Sequence, residues 1–110
     1  MLLPPARGSN SSAVAPALIE FSNGCLRVQG PVTLTTVGPL LEEATRRSEG
    51  PEMRVDLSGV THADSSAVGL LLAWVRDAAA NGRRIRFENL TENLRSLITL
   101  YDVGEFIPGA

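Results

Sequence analysis

Asp64, Ser65 and Ser66 stand in succession within Thr61-His62-Ala63-Asp64-Ser65-Ser66-Ala67, directly ahead of a strongly apolar stretch. Side chains of this kind accept hydrogen bonds from the free N–H groups of a helix start, so one of the three is expected to be the N-cap and the others to be solvated. The same helix end favours negative charge, which makes a serine there electrostatically suited to carry a phosphoryl group. Nucleophilic catalysis by Ser65 or Ser66 would need a general base and an oxyanion site. His62 is close in sequence only, in what reads as a loop, and no G-x-S-x-G elbow surrounds either serine. Asp56 and Asp64 flank the same connection and have the chemistry of a carboxylate pair or of magnesium ligands, but turn and cap roles account for both more simply. Cys25 lies in a strand pattern and reads as a small hydrophobe. With no glycine-rich phosphate loop in the chain, the expectation is a protein that is not an enzyme and needs no cofactor and no metal.

The apolar stretch after the serines holds a second feature. Val68, Leu71, Leu72, Val75 and Ala79 form a stripe expected to face the core. At about 100° per residue, Leu70 and Trp74 lie one turn apart and off that stripe, with Ala67 beside them. Either a neighbouring helix covers them, or they form an exposed apolar strip of the kind that anchors protein interfaces.

The elements that must position these residues follow from pattern and punctuation. Leu18–Ser22 and Cys25–Gln29 flank Asn23-Gly24, the strongest short-range signal for a type I′ hairpin. After Gly30-Pro31, Val37, Leu40, Leu41 and Ala44 recur at helical spacing opposite Glu42, Glu43 and Arg46, with Thr35 or Thr36 available as cap. Gly50-Pro51 ends that helix. Met53, Val55 and Leu57 alternate with Arg54 and Asp56 as a half-buried strand. The second helix closes at Asn81-Gly82, and Ile85 and Phe87 alternate with Arg84, Arg86 and Glu88. A third helix follows Thr91, with Leu94, Leu97, Ile98 and Tyr101 expected on its inner face. The order is β-β-α-β-α-β-α, an α/β domain with a mixed, mostly parallel sheet opened by an antiparallel hairpin. Because the strands alternate rather than run continuously apolar, the helices are expected mainly on one face. Residues 1–16, rich in Pro, Ser and Ala and without apolar periodicity, read as a flexible tail ahead of a domain spanning 17–110.

Length and composition set the outer limits. With 110 residues the chain suits one core. Its 44% hydrophobic and 20% charged content excludes wholesale disorder. Ten arginines and no lysine oppose twelve acids, a net charge of −2 without the basic excess of a nucleic-acid binder. One cysteine and one histidine exclude an intrachain disulfide and multi-Cys or multi-His metal sites. The longest nearly apolar run, 67–75, is too short to span a membrane, and no secretory signal is visible, so a cytoplasmic location is expected.

From about residue 17 to 107 the sequence resembles STAS domains, the fold of anti-sigma factor antagonists. The resemblance is carried by Val55-Asp56-Leu57-Ser58-Gly59-Val60 leading into Ala63-Asp64-Ser65-Ser66-Ala67-Val68-Gly69-Leu70-Leu71-Leu72. It implies regulation by phosphorylation of a serine at this helix start, at the position of Ser66; the glycine that follows in those antagonists is Ala67 here. The chain is similar also to the MlaB-like branch, the cytoplasmic STAS subunit of a phospholipid ABC transporter. That similarity lies in the leucine-rich second helix, Leu70 to Val75, and in Leu97-Ile98-Thr99-Leu100-Tyr101-Asp102-Val103. There the key hydroxyl directly follows the Asp, which places it on Ser65. The MlaB resemblance implies a non-catalytic adaptor whose partner is the transporter's ATPase subunit, with the membrane reached only through that complex. The antagonist resemblance implies an anti-sigma kinase as partner. For such an adaptor, Asp64, Ser65, Ser66, Ala67, Leu70 and Trp74 are the expected contact residues.

Overall fold

The computed structural model describes residues 17–47 and 50–110. The expected tail, 1–16, lies outside them. Strands β1 (Leu18–Ser22) and β2 (Cys25–Val32) pair antiparallel around Asn23-Gly24, whose φ values of 53° and 74° are those a type I′ turn requires at both central positions. Helix α1 (Val37–Arg47) carries the chain to β3 (Glu52–Ala63), which lies parallel to β2. Helix α2 (Ser65–Ala80) leads to β4 (Arg84–Glu88), parallel to β3, and α3 (Glu92–Tyr101) follows. The four strands lie in the order β1-β2-β3-β4. The expected β-β-α-β-α-β-α order and mixed sheet are both present.

Side-chain alternation explains why the helices gather on one face. Leu26 and Val28 of β2, Met53, Val55 and Leu57 of β3, and Ile85 and Phe87 of β4 are all buried under the helices. The intervening Arg27, Arg54 and Arg86 are exposed on the other side of the sheet. Asp56 belongs to that polar side yet is buried. It accepts hydrogen bonds from Ser58 N–H (2.9 Å) and Asn89 Nδ2 (3.2 Å) and meets Arg27 Nε at 3.4 Å. The Ser58 bond sits where the pairing shifts from Arg27↔Asp56 to Gln29↔Gly59, so the carboxylate pins a β-bulge.

The far edge of the sheet is closed by the chain's last turn. Ile107, 1% exposed, anchors a short 3₁₀ segment (Gly104–Phe106), and Phe87 N–H donates to the Pro108 carbonyl at 2.9 Å. This gives the exposed edge of β4 a partner. Gly109 sits at φ 97°, and a Cβ there would run into the Phe87 carbonyl.

Three expectations are corrected. Thr61 and His62 are not in a loop: β3 continues to Ala63, because parallel pairing with β2 runs on through Pro31↔His62 and Val32↔Ala63. The buried arc of α2 comprises Ala67, Val68, Leu70, Leu71, Trp74 and Ala78, about a quarter turn from the stripe through Leu72, Val75 and Ala79. Tyr101, expected inward, is 49% exposed, and only Leu94 and Ile98 of α3 are buried.

Candidate functional site

Asp64 is the N-cap of α2. Its backbone is extended (φ −118°, ψ −171°), and its Oδ1 accepts from Ser66 N–H at 2.8 Å. The choice among three capping residues is thereby decided, and Ser65 and Ser66 become the first two residues of the helix. The second carboxylate oxygen does something the sequence pattern gives no sign of. Asp64 Oδ2 accepts from Leu34 N–H at 3.1 Å, tying the β2–α1 loop to the start of α2 across thirty residues of chain. Burial works against ionisation of Asp64, but the Leu34 and Ser66 N–H groups outweigh it and hold the carboxyl below the usual range, with the nearby His62 adding to the effect. Thr36, one of the two expected caps of α1, serves the same loop instead: its Oγ1 accepts from Thr33 N–H and donates to the Pro31 carbonyl, both at 2.9 Å. Asn93 Oδ1 accepts from Ala63 N–H at 2.9 Å and ties the start of α3 to the end of β3.

Around this cap the expected contact residues separate into two groups. Ser65 is exposed and Ser66 half-buried, so both reach the surface. Ala67, Leu70 and Trp74 do not: they are 1%, 5% and 4% exposed. Trp74 stacks on Phe87 with ring centroids 6.4 Å apart and planes inclined by 14°, and its Nε1 has no hydrogen-bond partner. An exposed Leu70–Trp74 strip is therefore absent. The physical reason is coverage: α2 lies between α1 and α3 and over β4, so its buried arc is wider and differently centred than a one-sided stripe.

The apolar surface lies elsewhere on the same helix. Ser65, Val68, Gly69 and Leu72 of α2 form an open groove of about 360 Å³ with Tyr101 and Val103. Leu34, 76% exposed, stands on the loop that Asp64 holds, and Leu100, 72% exposed, adjoins Tyr101. Leu72 and Val103 were legible as apolar residues. Their exposure to a groove was not, because it depends on where the end of α3 falls against α2. Among the described residues no three of His, Cys, Asp and Glu come together as metal ligands, and no helix is long and apolar enough to cross a membrane. His62, exposed on β3, makes no hydrogen bond to either serine.

A four-stranded mixed sheet layered with three helices, and a capped helix start at the C-terminal end of its central parallel strand, defines the class: a small α/β domain of the STAS type. Residues 18–108 match the family model described as "Mlab, STAS domain", and the chain belongs to that family. No curated protein matches it. Among solved structures it is similar to the anti-sigma factor antagonist SpoIIAA in its unphosphorylated form. The identity is 19%, with 86% of this chain and 87% of that one covered, and the TM-score is 0.65. It is similar also to the Bacillus cell fate determinant SpoIIAA in the phosphorylated form (18% identity, 86% and 90% covered, TM-score 0.59). An anti-sigma factor antagonist from Mycobacterium paratuberculosis is 22% identical, with 86% and 87% covered and a TM-score of 0.62. At these identities the structural likeness establishes the shared fold.

Proposed function

We propose that this chain is a non-catalytic STAS adaptor that binds the ATPase subunit of a Mla-type phospholipid ABC transporter. In that role it supports the assembly or activity of the transporter that maintains outer-membrane lipid asymmetry, working in the cytoplasm and meeting the membrane only through the complex. The observation that carries this reading is the family match over 18–108 to the Mlab description. Local chemistry agrees with it. The hydroxyl after the capping aspartate, Ser65, is exposed at the helix start, and the groove beside it offers apolar surface to a protein rather than a pocket to a substrate.

A second reading is favoured by one specific observation. Ser66, the residue at which the antagonist resemblance places phosphorylation, donates its backbone N–H to Asp64 in the first turn of α2 and still reaches the surface. In that reading the chain is an anti-sigma factor antagonist whose partner is a kinase. One experiment separates the two: the tagged chain is purified from its native cell, and both its companions and its mass are determined. Co-purification of an ABC ATPase with unmodified Ser65 and Ser66 is expected. Stoichiometric phosphoserine at Ser66 together with a bound kinase would replace the adaptor reading with the antagonist one.

A further inference from the structure

The two edges of the sheet differ. At β4 the chain's last turn supplies the Pro108 carbonyl to Phe87 N–H. At β1, among the described residues, the only neighbouring strand is β2. Because Ser22↔Cys25 closes a two-residue turn, Ser22, Glu20 and Leu18 are the residues that exchange hydrogen bonds with β2. Ile19 and Phe21, and Ala17 by the same alternation, turn their backbone N–H and C=O groups outward. Nothing in β1 blunts this edge: Leu18–Ser22 holds no proline and no lysine, and its pairing with β2 runs without a bulge.

The side chains of Ala17, Ile19 and Phe21 lie on the helix side of the sheet, half-buried against the core. Beside Ala17 and Ile19 lies an open groove of about 430 Å³, lined across from the strand by Thr36, Pro39 and Leu40. A strand added to β1 would place its own apolar side chains in this groove. The chain's N-terminal residues suit that place poorly. Leu2-Leu3 runs into Pro4-Pro5, and one of two successive prolines would put its missing N–H on the new ladder. Residues 9–12, Ser-Asn-Ser-Ser, bring no apolar side chain.

We infer that β1 pairs antiparallel with β1 of a second copy about a two-fold axis through Ile19, joining two four-stranded sheets into one. In this register Phe21 of one copy stands opposite Ala17 of the other on the helix side. Ala17 is small enough to leave the groove open to the ring, and symmetry repeats the insertion. On the open face Leu18 meets Glu20 of the other copy. Two neighbouring registers also match outward residues to outward residues. One centres on Glu20 and sets that carboxylate against its own copy. The other centres on Leu18 and carries Phe21 past Ala17, so the Ile19 register alone pairs 17–21 in full. Assembly stops at two, because both outer edges are then β4 strands strapped by the last turn. The inference is independent of the adaptor's partner.

Five paired residues and two inserted rings make a small interface, so a Kd between about 10 μM and about 1 mM is expected. Sedimentation equilibrium of the full chain across that range should show monomer passing to dimer, with no larger species. Leu18→Glu sets glutamate against Glu20 of the other copy twice and should weaken association about fivefold or more. Adding Glu20→Lys to it turns both like pairs into opposite ones and should restore most of the loss. Phe21→Ala should weaken association about tenfold. Leu18 is 54% exposed, so Leu18→Glu should leave ellipticity and Tm unchanged, which separates association from folding. Dilution of the isotope-labelled full chain should shift the signals of Ile19, Phe21 and the Leu40 methyls and leave Phe87 in place. A monomer at every concentration would overturn the inference. So would a dimer that Leu18→Glu leaves as tight as before, or a double variant that restores nothing. Contacts of residues 1–16 with the Leu40 methyls would also sink it, by making the chain's own N-terminus the occupant.

Discussion

Leu34 and Asp64, thirty residues apart, are joined by a hydrogen bond of 3.1 Å from the Leu34 N–H to the Asp64 carboxylate. The same carboxylate caps α2 through Ser66 N–H, so one side chain sets both the start of the helix and the position of the loop beside it. Asp64→Ala removes both bonds. The lost cap costs about 1 kcal/mol, and the loss of the Leu34 bond adds roughly 0.5–1.5 kcal/mol. For a domain of this size each kilocalorie is worth a fall of about 4–8 °C in Tm. Thermal denaturation checks the sum, and faster amide exchange at Leu34 than in the wild type distinguishes loss of the tie from loss of the cap alone.

Trp74 separates a core role from a surface one. Stacked on Phe87 and 4% exposed, it should not tolerate charge: Trp74→Asp is expected to unfold the domain, visible as loss of far-ultraviolet ellipticity. Trp74→Ala should cost about 3–5 kcal/mol. Trp74→Phe should cost less than about 2 kcal/mol, because removing the unpartnered indole N–H relieves an unsatisfied donor and offsets part of the lost contact. Urea titration of the Phe and Ala variants measures the difference.

Acid stability should depend on Asp56. The Ser58 N–H, ahead of the bonds from Asn89 and Arg27, holds its carboxyl below the usual range although burial opposes this. A folded-state pKa below the unfolded one means that the unfolded chain takes up the proton first. The stabilisation is therefore present above about pH 4 and is lost as pH falls through the depressed folded value. Unfolding free energy should rise between roughly pH 2 and pH 5 in the wild type. The rise should be shallower in Asp56→Asn, as a series of urea titrations across that range would record.

The closure of β4 by the chain's last turn predicts a cost at Gly109. Ala there would meet both the positive φ and the Phe87 carbonyl, forcing the Pro108 carbonyl off Phe87 N–H. Gly109→Ala is expected to destabilise by more than about 1 kcal/mol. Hydrogen exchange should speed up at Phe87 rather than at Val55 inside the sheet, and unchanged protection at Phe87 would show that the strap is not held this way.

Local chemistry in the sequence determined much of this molecule. Asn23-Gly24 dictates its hairpin because only residues tolerant of positive φ fit both turn positions. Thr91 caps α3 through its hydroxyl, and alternation in β2, β3 and β4 settles which strand side chains face the helices. The order of elements and the position of the Asp64–Ser66 helix start follow from such short-range signals. What the tertiary structure alone decided is where those elements meet. Helix α2 carries apolar residues along both Leu70–Trp74 and Leu72–Val75, so the stripe that its spacing puts on Leu72 and Val75 is not the inner face; contact with α1, α3 and β4 selects Leu70 and Trp74 instead. Thr61 and His62 become strand because β2 extends to pair with them, and Leu34 becomes a braced surface residue because Asp64 reaches it. Hydrogen bonds and burial between residues thirty apart have no period and no adjacent signature, and they exist only once the chain has folded.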